Sequence, residues 1–319
     1  MRSRVLDDVM ICMRRRDFVR LVIPLPFVVG SASRSEAAVD EGSSEQAMVS
    51  FGVIADPQFA DKDTKGSRFY RKSLGKLKSA LTELGQHELD FVMTLGDVID
   101  QDFKSFAQIM PVYEKLKVPH RLVLGNHDFD VADEDKGKVM KAMGLDKAYY
   151  SEVRNGWRFV YLDGTEMSVF RYPEGSILKK ESDGELQRLR SEKVVQAQPW
   201  NGGISVVQLA WLKGELDAAK LAREKVIICN HYPVMPEADA HNLWNAEAVV
   251  KMIDEYDHVA VYMNGHNHKG NYAKRNGTHY VNFKGMVETE KETSYAVVKC
   301  YTDHVEIEGF GAEMDRVVD

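Results

Sequence analysis

Five apolar runs in this sequence each stop at side chains that can bind a metal ion. The run 51–55 ends at Asp56-Pro57-Gln58, and the run 91–95 ends at Gly96-Asp97. The run 122–124 meets Gly125-Asn126-His127-Asp128 with no spacer. The run 226–229 leads to Asn230-His231, and the run 259–263 to Asn264-Gly265-His266-Asn267-His268. The donors are carboxylate oxygens, amide oxygens and imidazole nitrogens, without a thiolate. Such a set suits manganese, iron or zinc better than a structural zinc. Two ions close together need a carboxylate that bridges them, and Asp97 is the natural choice. A histidine that is not a ligand, His127, can supply a proton. Taken singly, each stretch also reads as an ordinary turn. Their recurrence at successive strand ends sets them apart.

Residues 49–55, 91–95 and 121–124 read as strands, each nearly continuously apolar, as in a sheet covered on both faces. Residues 68–84 place Phe69, Leu74, Leu77, Ala80, Leu81 and Leu84 near helical spacing, and 104–117 reads as a second helix. Successive strand–helix units make an α/β protein, whose sites lie at the carboxyl ends of strands. Further strands are expected at 157–163, 226–230 and 259–263, with Asp163 as a turn carboxylate. The charged stretch 171–199 reads as an irregular surface excursion. After Gly202-Gly203-Ile204-Ser205 a helix opens, with Ser205 and Gln208 as a capping box and Leu209, Leu212, Leu216 and Ala219 as its apolar face. Residues 246–256 form another helix, capped by Asn245. The runs 279–283, 294–300 and 304–308 lack long helices between them, so this end of the sheet is mixed or antiparallel.

At 319 residues the chain can bury a sizeable core, and its net charge of -7 argues against non-specific nucleic-acid binding. Cys12, Cys229 and Cys300 make neither a zinc ribbon nor a disulfide pattern. The N-terminus carries Arg14-Arg15-Arg16-Asp17-Phe18-Val19-Arg20, an apolar run at 21–29, then small residues. That is the layout of a secretory signal, and Arg15-Arg16-Asp17-Phe18-Val19 resembles the twin-arginine motif. The expectation is a signal peptide over 1–37, recognised by the twin-arginine translocase, an exported periplasmic product, and one domain over 48–319. Without such a signal the protein would be cytoplasmic. The apolar run holds Pro24 and Pro26 and is too short to span a bilayer, so no stable membrane insertion is expected.

The ordered set Asp-x-Gln, Gly-Asp, Gly-Asn-His-Asp, a lone His and Gly-His-x-His resembles the pattern of the calcineurin-like metallophosphoesterases over residues 48–310. The resemblance implies an α/β fold of two packed mixed β-sheets flanked by helices. It implies that Asp56, Gln58, Asp97 and His268 hold one divalent ion, and Asp97, Asn126, His231 and His266 the other. His127 would face the leaving group. Gln58 stands where the superfamily usually has His, which tilts that site toward manganese or magnesium.

Four further stretches narrow the resemblance: Phe51-Gly52-Val53-Ile54-Ala55-Asp56-Pro57-Gln58-Phe59-Ala60-Asp61, Arg68-Phe69-Tyr70-Arg71-Lys72-Ser73-Leu74, Asn201-Gly202-Gly203-Ile204-Ser205 and Val281-Asn282-Phe283-Lys284-Gly285-Met286-Val287-Glu288-Thr289. They are similar to the manganese-dependent ADP-ribose/CDP-alcohol diphosphatases. That family's reaction is hydrolysis of a pyrophosphate linkage, releasing a nucleoside monophosphate. The implied cofactors are two divalent ions, Mn2+ first, with Fe2+ or Zn2+ as alternatives. The implied catalytic residues are His127 and Asp97, acting on a small-molecule phosphoester. In animal members, aromatics in the loop after the first motif influence base recognition. Here that loop, Lys62-Asp63-Thr64-Lys65-Gly66-Ser67, has none. Asn242 and Trp244 are the candidate substrate contacts; Trp244 would stack on a base or else pack at a helix start. A broader phosphodiesterase or phosphomonoesterase is the alternative, and a scaffold without metal chemistry a remote one.

Overall fold

The strand runs are apolar on both faces because two sheets lie against each other and each is covered by helices on its outer side. The computed structural model describes residues 46–319; the basic and apolar N-terminal stretch, with Cys12 and the expected signal, lies outside the described residues. The strands are β1 (Val49–Ile54), β2 (Phe91–Thr94), β3 (His120–Leu122), β4 (Tyr150–Arg154), β5 (Trp157–Tyr161), β6 (Lys225–Cys229), β7 (Val259–Asn264), β8 (Asn271–Arg275), β9 (Thr278–Asn282), β10 (Ser294–Cys300), β11 (Val305–Gly311) and β12 (Arg316–Val318). The helices are α1 (Tyr70–Leu84), α2 (Phe106–Tyr113), α3 (Asp133–Lys136), α4 (Val139–Ala142), α5 (Ile177–Ser191), α6 (Val206–Ala222) and α7 (Ala246–Ile253).

One sheet has the order β12-β11-β10-β1-β2-β3 and the other β4-β5-β6-β7-β9-β8. β1, β2 and β3 are parallel, as are β5, β6, β7 and β9, whereas β10 to β12, β4 and β8 pair antiparallel. Between the sheets, Phe51 stacks on Phe91 with centroids 4.8 Å apart, and Phe159 of the opposite sheet meets both edge-on. Such pairs add about 0.5–1.5 kcal/mol each beyond burial. On the outer side, Ile54 joins Leu77, Ala80 and Leu84 of α1 and Ile109 of α2. Leu212, Leu216 and Ala219 of α6 cover Val226 and Ile228 of the second sheet with Val249 and Ile253 of α7.

Several elements differ from the sequence expectation. The stretch 171–199 contains the helix α5, whose Ser176 cap accepts from the Lys179 backbone N–H. Only Ser182, Leu186 and Leu189 are buried on it, so its apolar stripe is narrow. Ion pairs such as Lys179–Asp183 and Arg188–Glu192 support its exposed face. The helix expected over 104–117 is short, with Pro111 inside it. β4 and β8 enter hairpins at Asn155-Gly156 and Asn276-Gly277, all four with positive φ, the Asn-Gly signal of tight turns. Asn245 does not cap α7; its amide pairs instead with the backbone of Ile204. Ser205 caps α6, but Gln208 turns its side chain to Asp163 and Glu166 rather than completing a box.

Candidate dimetal site

Asp56, Gln58, Asp97 and His266 follow their strands with φ of 49°, 45°, 52° and 67°. The left-handed region costs a residue with a side chain about 1–2 kcal/mol. Here it reverses the chain at once and aims each side chain back across the strand ends. Cross-loop bonds hold these turns: Gln58 N–H donates to Asp97 O at 2.8 Å, and Gly265 N–H to His231 O at 3.0 Å. Two glycines make the approach feasible. A Cβ on Gly125 would overlap Asp97 Oδ1, and one on Gly265 would overlap Asp56 Oδ2. Asp128 is not a donor to this cleft. Its buried carboxylate accepts backbone N–H bonds from Asp97, Val98, Ile99 and Gly125, clamping two strand ends together.

The seven candidate ligands converge in two groups that share Asp97. Donor atoms of Asp97, His231 and His266 lie within 4.8 Å of one another, as do those of Asp56, Asp97 and His268. Asn126 Oδ1 faces His231 Nε2 at 3.2 Å, joining the first group. Gln58 joins the second, its amide nitrogen 2.9 Å from Asp97 Oδ2 and 3.0 Å from His268 Nε2. Its buried Oε1 has no hydrogen-bond partner among the described residues. Turning that amide over brings the carbonyl oxygen to the donor position, and the two ends of the group are interchangeable by such a flip.

Each histidine is held by its far ring nitrogen. His231 Nδ1 bonds Leu95 O at 2.8 Å, His266 Nε2 bonds Asn201 Oδ1 at 2.8 Å, and His268 Nδ1 bonds Glu288 Oε1 at 2.7 Å. This leaves Nε2, Nδ1 and Nε2 respectively directed inward, the arrangement that metal-binding histidines need. Burial alone would raise the Asp97 carboxyl, but His231 and His127 outweigh it and hold it low. Burial would likewise lower His231 and His268, yet Asp97 and Asp56 push each up to about 9. Two buried carboxylates thus draw protons onto neighbouring imidazoles, a charge a divalent cation can replace. The residues present fit a pair of hard or borderline divalent ions.

His127 stands beside both groups and belongs to neither. Its Nδ1 lies 2.6 Å from Asp100 Oδ1, and Asp100 is also paired with Lys62. Arg68 reaches toward His127 Nε2 at 3.5 Å and toward Glu288 at 3.9 Å. The sequence pattern gives Arg68, Asp100, Asn201 and Glu288 no role of their own. Three of them lie in the stretches that carry the closer resemblance, and Asp100 follows Asp97 by three positions.

The two substrate candidates require correction. Asn242 is buried, with its amide donating to Pro236 O at 2.7 Å. Trp244 is 3% exposed, packed with Leu186, Leu189 and Ala197, and donates to Gln198 O. An indole enclosed by α5 cannot offer a face to a base. Asp163 is a turn carboxylate, accepting from Thr165 and Arg171. Cys229 and Cys300 are buried thiols of the inter-sheet core, both pushed upward by burial.

A family model described as calcineurin-like phosphoesterase matches residues 49–270, most of the chain. The chain belongs to the calcineurin-like phosphoesterases. This phosphoesterase is 31% identical to the manganese-dependent ADP-ribose/CDP-alcohol diphosphatase of Bos taurus, over 89% of its own length and 98% of that protein. It is 30% identical to the protein of that name from Arabidopsis thaliana, over 84% and 96% respectively. A solved dimetal phosphatase from Danio rerio has the same fold, with a TM-score of 0.77 at 24% identity, covering 86% of this chain and 99% of that one. The phosphoesterase is a metal-dependent phosphohydrolase.

Proposed function

We propose that this phosphoesterase hydrolyses the pyrophosphate linkage of nucleoside diphosphate-linked substrates of the ADP-ribose and CDP-alcohol type, with two Mn2+ ions as cofactors. The observation that carries the reading is Asp97, common to both donor groups at the shared rim of the sheets. The printed names of the relatives supply the substrate class.

Asp56, Gln58, Asp97 and His268 would hold one ion and Asp97, Asn126, His231 and His266 the other. Such ions, when bound, supply a hydroxide nucleophile at neutral pH and neutralise phosphoryl charge. The chain contributes the rest. His127, its Nδ1 fixed by Asp100, keeps Nε2 toward the cleft, where it can give a proton to the departing phosphate. Arg68, beside that nitrogen, offers a permanent positive charge to the same group. Buried side chains around the donors exclude water and strengthen each of these interactions.

The aromatic-free loop 62–67 and the enclosed Trp244 favour a second reading, a broader range of phosphoesters. One panel separates the two. With Mn2+ present, ADP-ribose, CDP-choline, a cyclic nucleotide and a simple aryl phosphate are compared by kcat/KM. Fastest release of nucleoside monophosphate from the first two supports the diphosphatase. Preference for the cyclic nucleotide or the aryl phosphate would replace it by the broader enzyme.

Residues 1–37 are further proposed to direct export by the twin-arginine route, ahead of a single catalytic domain over 48–319. Arg15-Arg16 before a short, proline-containing apolar run supports this. Cell fractionation and N-terminal sequencing test it, together with replacement of both arginines by lysine, which should retain the precursor inside. A full-length cytoplasmic product indifferent to that replacement overturns it.

A further inference from the structure

Lys76 is a lysine in an unusual place. It lies on the buried face of α1 and is 6% exposed. Its ammonium donates to Met286 O, and to Glu288 O and Thr289 O at 2.9 Å each. All three of its N–H bonds therefore end on backbone carbonyls of one short segment. Without a cation between them, three convergent carbonyl dipoles would repel one another, and the carbonyl of buried Met286 would lose its partner. The segment is also tied to the site from its other side. Met286 N–H donates to Ala55 O at 2.9 Å, and Val287 N–H to Asp56 O at 3.0 Å. Thr289 holds a φ of 65°, a conformation that a β-branched residue keeps only under restraint. Within this segment, Glu288 takes the bond from His268 Nδ1 that aims Nε2 at Asp56 and Gln58.

We propose that Lys76 is a positioning residue of the dimetal site: its ammonium gathers the Met286, Glu288 and Thr289 carbonyls and so keeps the Glu288 carboxylate in register with His268. The proposal rests on His268 being a ligand of one ion. Burial draws the Lys76 ammonium down to about 8, with the Glu288 charge opposing it, so the group remains a cation at neutral pH. Cation, carbonyls, carboxylate and imidazole thus form one chain of contacts from the middle of α1 to the site.

Mn2+ titration of the whole protein, followed by electron paramagnetic resonance of the free ion, reads this directly without substrate. Lys76→Met keeps the side chain's length and removes its charge. It should weaken one of the two Mn2+ sites by about 10–100-fold and leave the other unchanged, as loss of an outer partner does. Glu288→Gln and His268→Ala should weaken that same site. Because Lys76 acts through Glu288, the Lys76→Met/Glu288→Gln double variant should bind no more weakly than Glu288→Gln alone. If Lys76→Met does not fold, Lys76→Gln should show the one-site loss and Lys76→Arg, which keeps the charge, should retain both ions. Wild-type affinities at both sites in the uncharged variants, or losses that multiply in the double variant, would overturn the proposal. Wild-type affinities in His268→Ala as well would trace that failure to the ligand assignment.

Discussion

Nδ1 of His127 lies 2.6 Å from Oδ1 of Asp100, a carboxylate that is 2% exposed and paired on its other oxygen with Lys62. The ring is thereby fixed with Nε2 toward the cleft, near Arg68. His127→Ala should lower kcat by ~10²–10⁴-fold, the usual worth of a positioned proton donor. Mn2+ binding should stay intact, since His127 is in neither donor group. Asp100→Asn should lower kcat in the same direction by releasing the ring. Steady-state kinetics beside a Mn2+ titration check both; loss of metal in His127→Ala would recast it as a ligand.

Asp97 is the one carboxylate common to both groups. Asp97→Ala should abolish turnover and weaken both Mn2+ sites, whereas Asp56→Ala should weaken chiefly one. Stoichiometry by titration calorimetry separates these outcomes. An Asp97→Ala protein that binds two ions and turns over normally would remove the dimetal assignment.

Gln58 offers an amide oxygen where imidazole would be softer. Gln58→His should shift preference from Mn2+ toward Zn2+ and Fe2+ without destroying the site. Activity and affinity measured against the three metals for both proteins are the check, and an unchanged profile would take Gln58 out of the ligand set.

Burial opposes charge on His231 and His268, but Asp97 and Asp56 prevail and push both up to about 9. In the metal-free protein each ion must therefore displace a proton. Apparent Mn2+ affinity should rise with pH and level off near pH 9. The same shifts carry a stability of opposite trend. A histidine whose folded pKa exceeds its unfolded value of 6.5 contributes fully below 6.5 and loses that contribution as pH rises through about 9. Calorimetry in buffers of differing ionisation enthalpy should count the released protons, and metal-free denaturation midpoints should fall over that window. Affinity independent of pH would contradict this protonation scheme.

Much of the site was legible because its chemistry is local. Apolar runs that stop at Asp56, Asp97, Asn126, His231 and His266 mark buried strands that end in polar donors, and residue types alone restrict what such donors can bind. Strand β10 and the Ser205 cap were equally readable, since periodicity and capping depend on neighbours in the chain. The helix α5 was not, because only a few of its residues touch the core and its charged pairs mimic a solvated loop. Folding alone decided the contacts between distant segments. Glu288 meets His268, Asn201 meets His266 and Asp100 meets His127 only after the sheets pack, since no spacing rule relates those pairs. Trp244 shows the converse, an aromatic placed near the site in sequence yet enclosed by α5 in space. The sequence by itself determined which groups could do the chemistry and on which strand ends they sit. The tertiary structure decided which nitrogen of each histidine faces inward and which distant group holds the other, because those choices depend on contacts between segments far apart in the chain.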